Sequence, residues 1–181
     1  MTPPHDPAGE QGTGAHGHRV HGPRIVPTLV ITVSDTRTLE TDTGGALVAE
    51  LLSAAGHSVV SREVVRDDPD EIQAALRRAL ARDEVRAVVL TGGTGVAPRD
   101  VTPESVAPLL ERVIPGFGEL FRMLSFHEIG SAAVLSRALA GLAAGRVVFV
   151  LPGSRAAVRL ALERLILPEL GHLAGEALKR R

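Results

Sequence analysis

Between Thr91 and Glu104 the chain concentrates residues suited to phosphate chemistry: Thr91-Gly92-Gly93-Thr94-Gly95, then Val96-Ala97-Pro98-Arg99-Asp100, then Val101-Thr102-Pro103-Glu104. Glycines at 92, 93 and 95 let a backbone come close to an anion and adopt positive φ. Successive N–H groups can then point at phosphate oxygens, with the Thr91 and Thr94 hydroxyls as further donors. A tight structural turn would use the same glycines. The spacing is neither that of a Walker loop nor that of the dinucleotide fingerprint. Asp100 lies just past the loop, and Asp42 stands in Thr41-Asp42-Thr43-Gly44-Gly45. Each acid has a plain alternative, Asp42 as a helix cap and Asp100 as a surface partner of Arg99. Together beside a phosphate loop they suit Mg²⁺, which takes one or two carboxylates plus phosphate oxygens.

These residues need a frame that gathers them. Leu29–Val33 is an apolar, β-branched run that ends at Ser34-Asp35. Residues 43–55 carry Leu47, Val48, Leu51 and Leu52 at helical spacing, stopped by Gly56. Val59–Val65 reads as a second strand, and Asp68-Pro69 opens a helix over about 69–82. Val85–Leu90 is a third strand that runs straight into the glycine loop. Thr102 suits the cap of a short helix that follows, and Gly116–Phe126 reads as another. Arg146–Leu151 is a last strand, followed by Pro152-Gly153-Ser154 and a long helix from about 155, with a kink or restart at Pro168. Strands that are apolar end to end are covered on both faces. The alternation therefore predicts an α/β fold: a three-layer α/β/α sandwich around a mostly parallel sheet. In such sheets ligands sit beyond the carboxyl ends of the strands, where Ser34-Asp35, the glycine loop and Pro152-Gly153-Ser154 would meet.

Composition narrows the function. The chain has 181 residues, enough for one cored domain, with 44% hydrophobic residues and a formal net charge of −1. No global basic field attracts nucleic acid, and the absence of Trp and Tyr removes the usual stacking platforms. With no cysteine, disulfides, thiolate metal sites and a cysteine nucleophile are excluded. No apolar run reaches the roughly 20 residues of a membrane span and no signal peptide is visible, so a soluble cytoplasmic protein is expected. Residues 1–26 are rich in Gly, Pro and His and read as a disordered tail, with the domain proper over 27–181.

The whole string from Thr91 to Glu104 resembles the signature of the molybdenum cofactor biosynthesis MoaB/MogA family. So do Ser34-Asp35-Thr36-Arg37, Asp42-Thr43-Gly44, Pro115-Gly116-Phe117, Leu135-Ser136-Arg137 and Leu151-Pro152-Gly153-Ser154. The likeness covers about residues 28–179, and Phe117–Arg122 with Glu128–Ser131 place it nearest the MoaB branch. The resemblance implies binding of molybdopterin and adenylylation of its terminal phosphate with Mg-ATP as co-substrate, releasing pyrophosphate. A carrier that binds molybdopterin without turnover is the alternative. It also implies a homotrimer or dimer of trimers, and a separate metal-inserting enzyme as downstream partner. By motif position, it puts the family's two important acids, catalytic and Mg²⁺-holding, on Asp42 and Asp100. Substrate and nucleotide contacts would fall on Ser34, Asp35, Thr91, Gly92, Gly93, Thr94, Gly95, Thr102, Glu104, Ser136, Pro152, Gly153 and Ser154. One departure is Arg155-Ala156-Ala157 where the family often has Pro-Asn-Ala, so an Asn contact to the nucleotide cannot be made by Ala156. A dinucleotide oxidoreductase is disfavoured, because no G-x-G-x-x-G follows the first strand.

Overall fold

A computed structural model describes residues 22–179. Six strands form one sheet: β1 (Thr28–Val33), β2 (Val59–Val65), β3 (Ala87–Thr91), β4 (Arg112–Val113), β5 (Leu139–Ala143) and β6 (Arg146–Leu151). Their order is β2-β1-β3-β6-β5-β4. The four strands from β2 to β6 are parallel; β5 and β4 extend the sheet antiparallel. The helices are α1 (Thr43–Ala54), α2 (Pro69–Leu80), α3 (Thr102–Val106), α4 (Pro115–Ile129), α5 (Arg155–Ala161) and α6 (Leu167–Leu178).

Because strand side chains alternate between faces, the parallel strands feed two cores. Val30, Val89 and Phe149 point to one face, where α1, α4, α5 and α6 deliver Leu47, Leu52, Phe121, Val158 and Leu170. Leu29, Ile31, Val88, Leu90 and Val148 point to the other, covered by Ile72, Ala75 and Leu76 of α2 and Val106 of α3. This is the expected three-layer sandwich. Phe117 and Phe121 are both buried, and the Phe117 ring lies 5.4 Å from that of Phe149.

Several local features differ from the sequence reading. Val26 is fully buried and its N–H donates to His57 Nδ1 at 3.2 Å. Gly22 runs so close to α6 that a Cβ there would lie 2.0 Å from the Gly171 carbonyl oxygen. Residues 22–26, expected within the tail, thus pack on the domain through the apolar anchor Val26. Residues 1–21 of the expected tail lie outside the described residues. The α3 cap falls on Val101, so Thr102 is the first helical residue and its hydroxyl caps nothing. Pro168 sits in the first turn of α6, directly after a π-helical turn at Leu162–Ile166, where a missing N–H is absorbed by the change of helix type.

Candidate functional site

The carboxyl ends of β1, β3 and β6 converge on one edge of the sheet, and the chain leaves each strand through a loop that bears polar groups. A cleft of about 400 Å³ opens there. One wall is the glycine loop with Asp100; another is Pro152-Gly153-Ser154; the third, mostly apolar, is Phe121, Ser125, Ile129, Leu135 and Ser136. A polar wall facing an apolar one suits a ligand with a charged end and a flat organic end. A smaller pocket of about 140 Å³, lined by Ser34, Asp42, Thr43 and Thr91, adjoins it through the shared Gly92 and Gly153.

The loops are locked to one another. Gly92 N–H donates to the Leu151 carbonyl at 3.0 Å, and Thr91 Oγ1 to the Pro152 carbonyl at 3.1 Å. Ser154 caps α5, its Oγ accepting from Ala157 N–H at 3.2 Å. Ser34 Oγ accepts from the N–H groups of Thr36 and Arg37, both at 3.3 Å. Arg155 donates to the Thr43 carbonyl at 3.3 Å, which ties α5 to the start of α1. Glu104 is outside the cleft wall and pairs with Arg137.

Asp42 has a use other than the one expected for it. It is only 3% exposed and caps α1, with Oδ1 accepting from Gly45 N–H at 2.8 Å. Its Oδ2 accepts from Thr32 Oγ1 and from the Arg62 guanidinium, each at 2.9 Å. Three donors meet the carboxylate, one of them the counter-charge of Arg62, and the residue also lines the smaller pocket. The bond from Gly45 is the helix cap that the sequence offers as the plain alternative.

Asp100 and Asp67 are placed differently. Asp100 Oδ2 accepts from Ala97 N–H at 3.0 Å within its own loop. A Cβ on Gly95 would lie 2.5 Å from Asp100 Oδ2, so only glycine admits this carboxylate to the backbone. Asp67 follows β2, and its Oδ1 accepts from Val101 N–H at 3.4 Å. Its own N–H donates to Asp35 Oδ1 at 3.1 Å. Gly93, at φ 61°, is built against it: a Cβ there would lie 2.7 Å from Asp67 Oδ1 and 2.2 Å from Thr102 Oγ1. Burial raises the Asp67 carboxyl above its ordinary value; the charges of Asp100 and Asp35 add to this, while the Val101 N–H and Arg99 oppose it. No Lys or Arg among the described residues forms an ion pair with Asp67 or Asp100. The Thr102 and Ser136 hydroxyls are buried without a hydrogen-bond partner.

Asp67 is a neighbour of the glycine loop that the sequence analysis did not single out. The adjacent Asp68 caps α2, accepting from Asp70 and Glu71 N–H, and that reading accounted for the Asp-Asp-Pro string. Only the parallel pairing of β2, β1 and β3 carries Asp67 to Asp35 and to the glycine loop. Among the described residues no group of three or more His, Asp or Glu could hold a metal unaided. A cation here would need oxygens from a ligand to complete its shell.

Comparison with known proteins gives a consistent answer. A family model described as a probable molybdopterin binding domain matches residues 29–172. Molybdenum cofactor biosynthesis protein B of Halalkalibacterium halodurans is 50% identical over 165 residues, covering 91% of this chain and 97% of that one. A crystal structure of a molybdenum cofactor biosynthesis protein B is 51% identical with a TM-score of 0.85, covering 88% of this chain and 99% of the other. The tungsten cofactor synthesizing protein MoaB from Pyrococcus furiosus is 40% identical with a TM-score of 0.79, covering 87% and 100%. Fold, matched length and identity agree: the chain belongs to the molybdopterin-binding domain family that contains the MoaB proteins.

Proposed function

We propose that this protein acts in molybdenum cofactor biosynthesis by binding molybdopterin and adenylylating its terminal phosphate with Mg-ATP. In this reaction an oxygen of the molybdopterin phosphate attacks the α-phosphorus of ATP. A new P–O–P bond forms, the α–β bond breaks, and pyrophosphate leaves with the electron pair. The attacking oxygen is already ionised at neutral pH, so no general base is needed. The task is to hold two polyanions in line and to neutralise their charge.

The observation that carries this reading is the pair of carboxylates, Asp67 and Asp100, which form no ion pair among the described residues and stand against the backbone of Gly93 and Gly95. Asp100 lines the cleft and Asp67 packs against its glycine loop, and such a pair would suit Mg²⁺, which would neutralise phosphate charge when bound there. In the proposal Asp67 and Asp100 hold the ion or orient its waters, and the loop amides from Gly92 to Gly95 grip phosphate. Ser136 and the apolar wall of Phe121, Ile129 and Leu135 receive the pterin side. Ser34, Asp35, Thr91 and the Pro152-Gly153-Ser154 turn frame the nucleotide side. Thr102 supports the loop from beneath.

Exposed apolar side chains on α4 and the turn after it support a homo-oligomer, a trimer or dimer of trimers. They are Leu120, Met123, Phe126, Ile129 and Val134. Among the described residues no helix is long and apolar enough to cross a membrane. The adenylylated product would pass to a separate metal-inserting enzyme. Incubating the protein with molybdopterin and Mg-ATP tests the proposal. Equimolar adenylylated molybdopterin and pyrophosphate are expected; tight pterin binding with no ATP consumption would establish the carrier role in its place.

A further inference from the structure

The loop from Thr94 to Asp100 has no regular secondary structure and is bonded largely to itself. Asp100 N–H donates to the Ala97 carbonyl at 2.9 Å, and Ala97 N–H returns to the Asp100 carboxylate. Such a segment gains little from the sheet below it and would open readily if nothing else held it. Arg137 reaches it from across the cleft. This residue follows Ser136 on the segment between the turn after α4 and β5. Its Nε donates to the Thr94 carbonyl at 3.2 Å and one terminal nitrogen to the Asp100 carbonyl at 2.6 Å. The other terminal nitrogen pairs with the Glu104 carboxylate at the start of α3. One guanidinium thus grips both ends of the loop and the helix behind it. Among the described residues, no other side chain from beyond the loop bonds to the 94–100 backbone.

We infer that Arg137 is a positioning residue that clamps the glycine loop shut across the cleft and thereby fixes where the Asp100 carboxylate stands. Resting on the adenylylation reading, this links the pterin wall to the metal wall: Ser136 and Arg137 are neighbours in sequence, one facing the cleft and the other setting its gape. The fork of the guanidinium is essential. A lysine ammonium is a point donor on a flexible stem and cannot span two carbonyls and a carboxylate at once. Glu104 orients the fork, which explains why this acid stands beside the loop yet outside the cleft wall.

The clamp exists without ligand, so it can be tested independently of turnover. Hydrogen exchange of the full-length, ligand-free protein is compared for wild type, R137K, R137Q and E104Q. In R137K and R137Q the hydrogen-bonded amides of the loop, Ala97 and Asp100, are expected to exchange about 10-fold faster or more, as loss of several hydrogen bonds implies, while β1, β3 and β6 keep their protection. E104Q should show a smaller change confined to the same segment. If wild type is active, R137Q should also lower kcat and weaken apparent magnesium affinity on the order of 10-fold, with KM for molybdopterin little changed. Wild-type exchange in the loop of both Arg137 variants would overturn the inference, as would faster exchange spread evenly over the sheet. An inactive wild type with a loop that loosens in the variants would leave the clamp standing and remove only the enzymatic reading.

Discussion

Two kinds of acidic position flank the same edge of the sheet: Asp42 before α1, and the pair Asp67 and Asp100 beside the glycine loop. Their surroundings are opposite. Asp42 meets Arg62, Thr32 and the Gly45 N–H, so its charge is compensated and its oxygens are occupied. Asp67 and Asp100 meet backbone N–H groups and one another's field, and burial raises the Asp67 carboxyl. A carboxylate given a counter-charge holds a fold together. Carboxylates crowded together with no ion pair among the described residues, and only the Arg99 charge and a backbone N–H to oppose the rise at Asp67, are the surroundings in which the proposal places its cation.

The largest effect expected from this contrast is on folding. Asp42→Ala removes a helix cap and the counter-charge of the Arg62 guanidinium, whose side chain is only 26% exposed and which keeps just the Leu39 and Asp42 carbonyls. Allowing for that exposure, a loss of about 2–4 kcal/mol is expected in chemical denaturation. A loss under about 0.5 kcal/mol, with turnover abolished, would return Asp42 to the reacting centre. Asp100→Asn should do the reverse. It keeps the shape and the bond from Ala97, so unfolding should be little changed, while turnover and apparent magnesium affinity fall on the order of 10–100-fold. Wild-type turnover in this variant would remove Asp100 from the mechanism.

Asp67→Asn gives the subtlest readout. A carboxyl raised in the folded state contributes stability below its ordinary value of 3.8, and that contribution is lost as pH rises through the raised value. At pH 7 the variant should therefore be at least as stable as wild type, and the gain should shrink as pH falls toward 3.8. Activity should fall as for Asp100→Asn. Lower stability at pH 7 would mean that Asp67 is a structural acceptor for Val101 and nothing more.

The reach of the sequence is clear from the same residues. β1, β3 and β6 were legible because continuous apolar runs mark doubly covered strands, whereas β2, with Ser61-Arg62-Glu63 at its centre, is a half-buried edge strand marked by the valine pairs at its ends. β5 was not: Leu139-Ala-Gly-Leu-Ala has weak strand propensity and forms because β6 folds back on it through a two-residue turn, with Ala144 at φ 49° and Gly145 at φ 73°. β4 is two residues long and exists only as its pairing with β5. In the cleft, the glycine loop, Asp100 and Pro152–Ser154 stand together as strand-end logic places them, and Ser136 joins them where only the family resemblance had put it. The cap that Asp42 makes was legible as an alternative, but its Arg62 partner 20 residues away and the meeting of Asp67 with Val101 over 34 residues were not. Such partners are set by strand order, not by local pattern.

The most direct test is a crystal of the protein soaked with Mg-ATP. The account predicts an ion bridging the triphosphate and the carboxylates of Asp67 and Asp100, with the Arg62–Asp42 pair intact. An ion on Asp42, with Arg62 displaced and Asp67 unengaged, would contradict it.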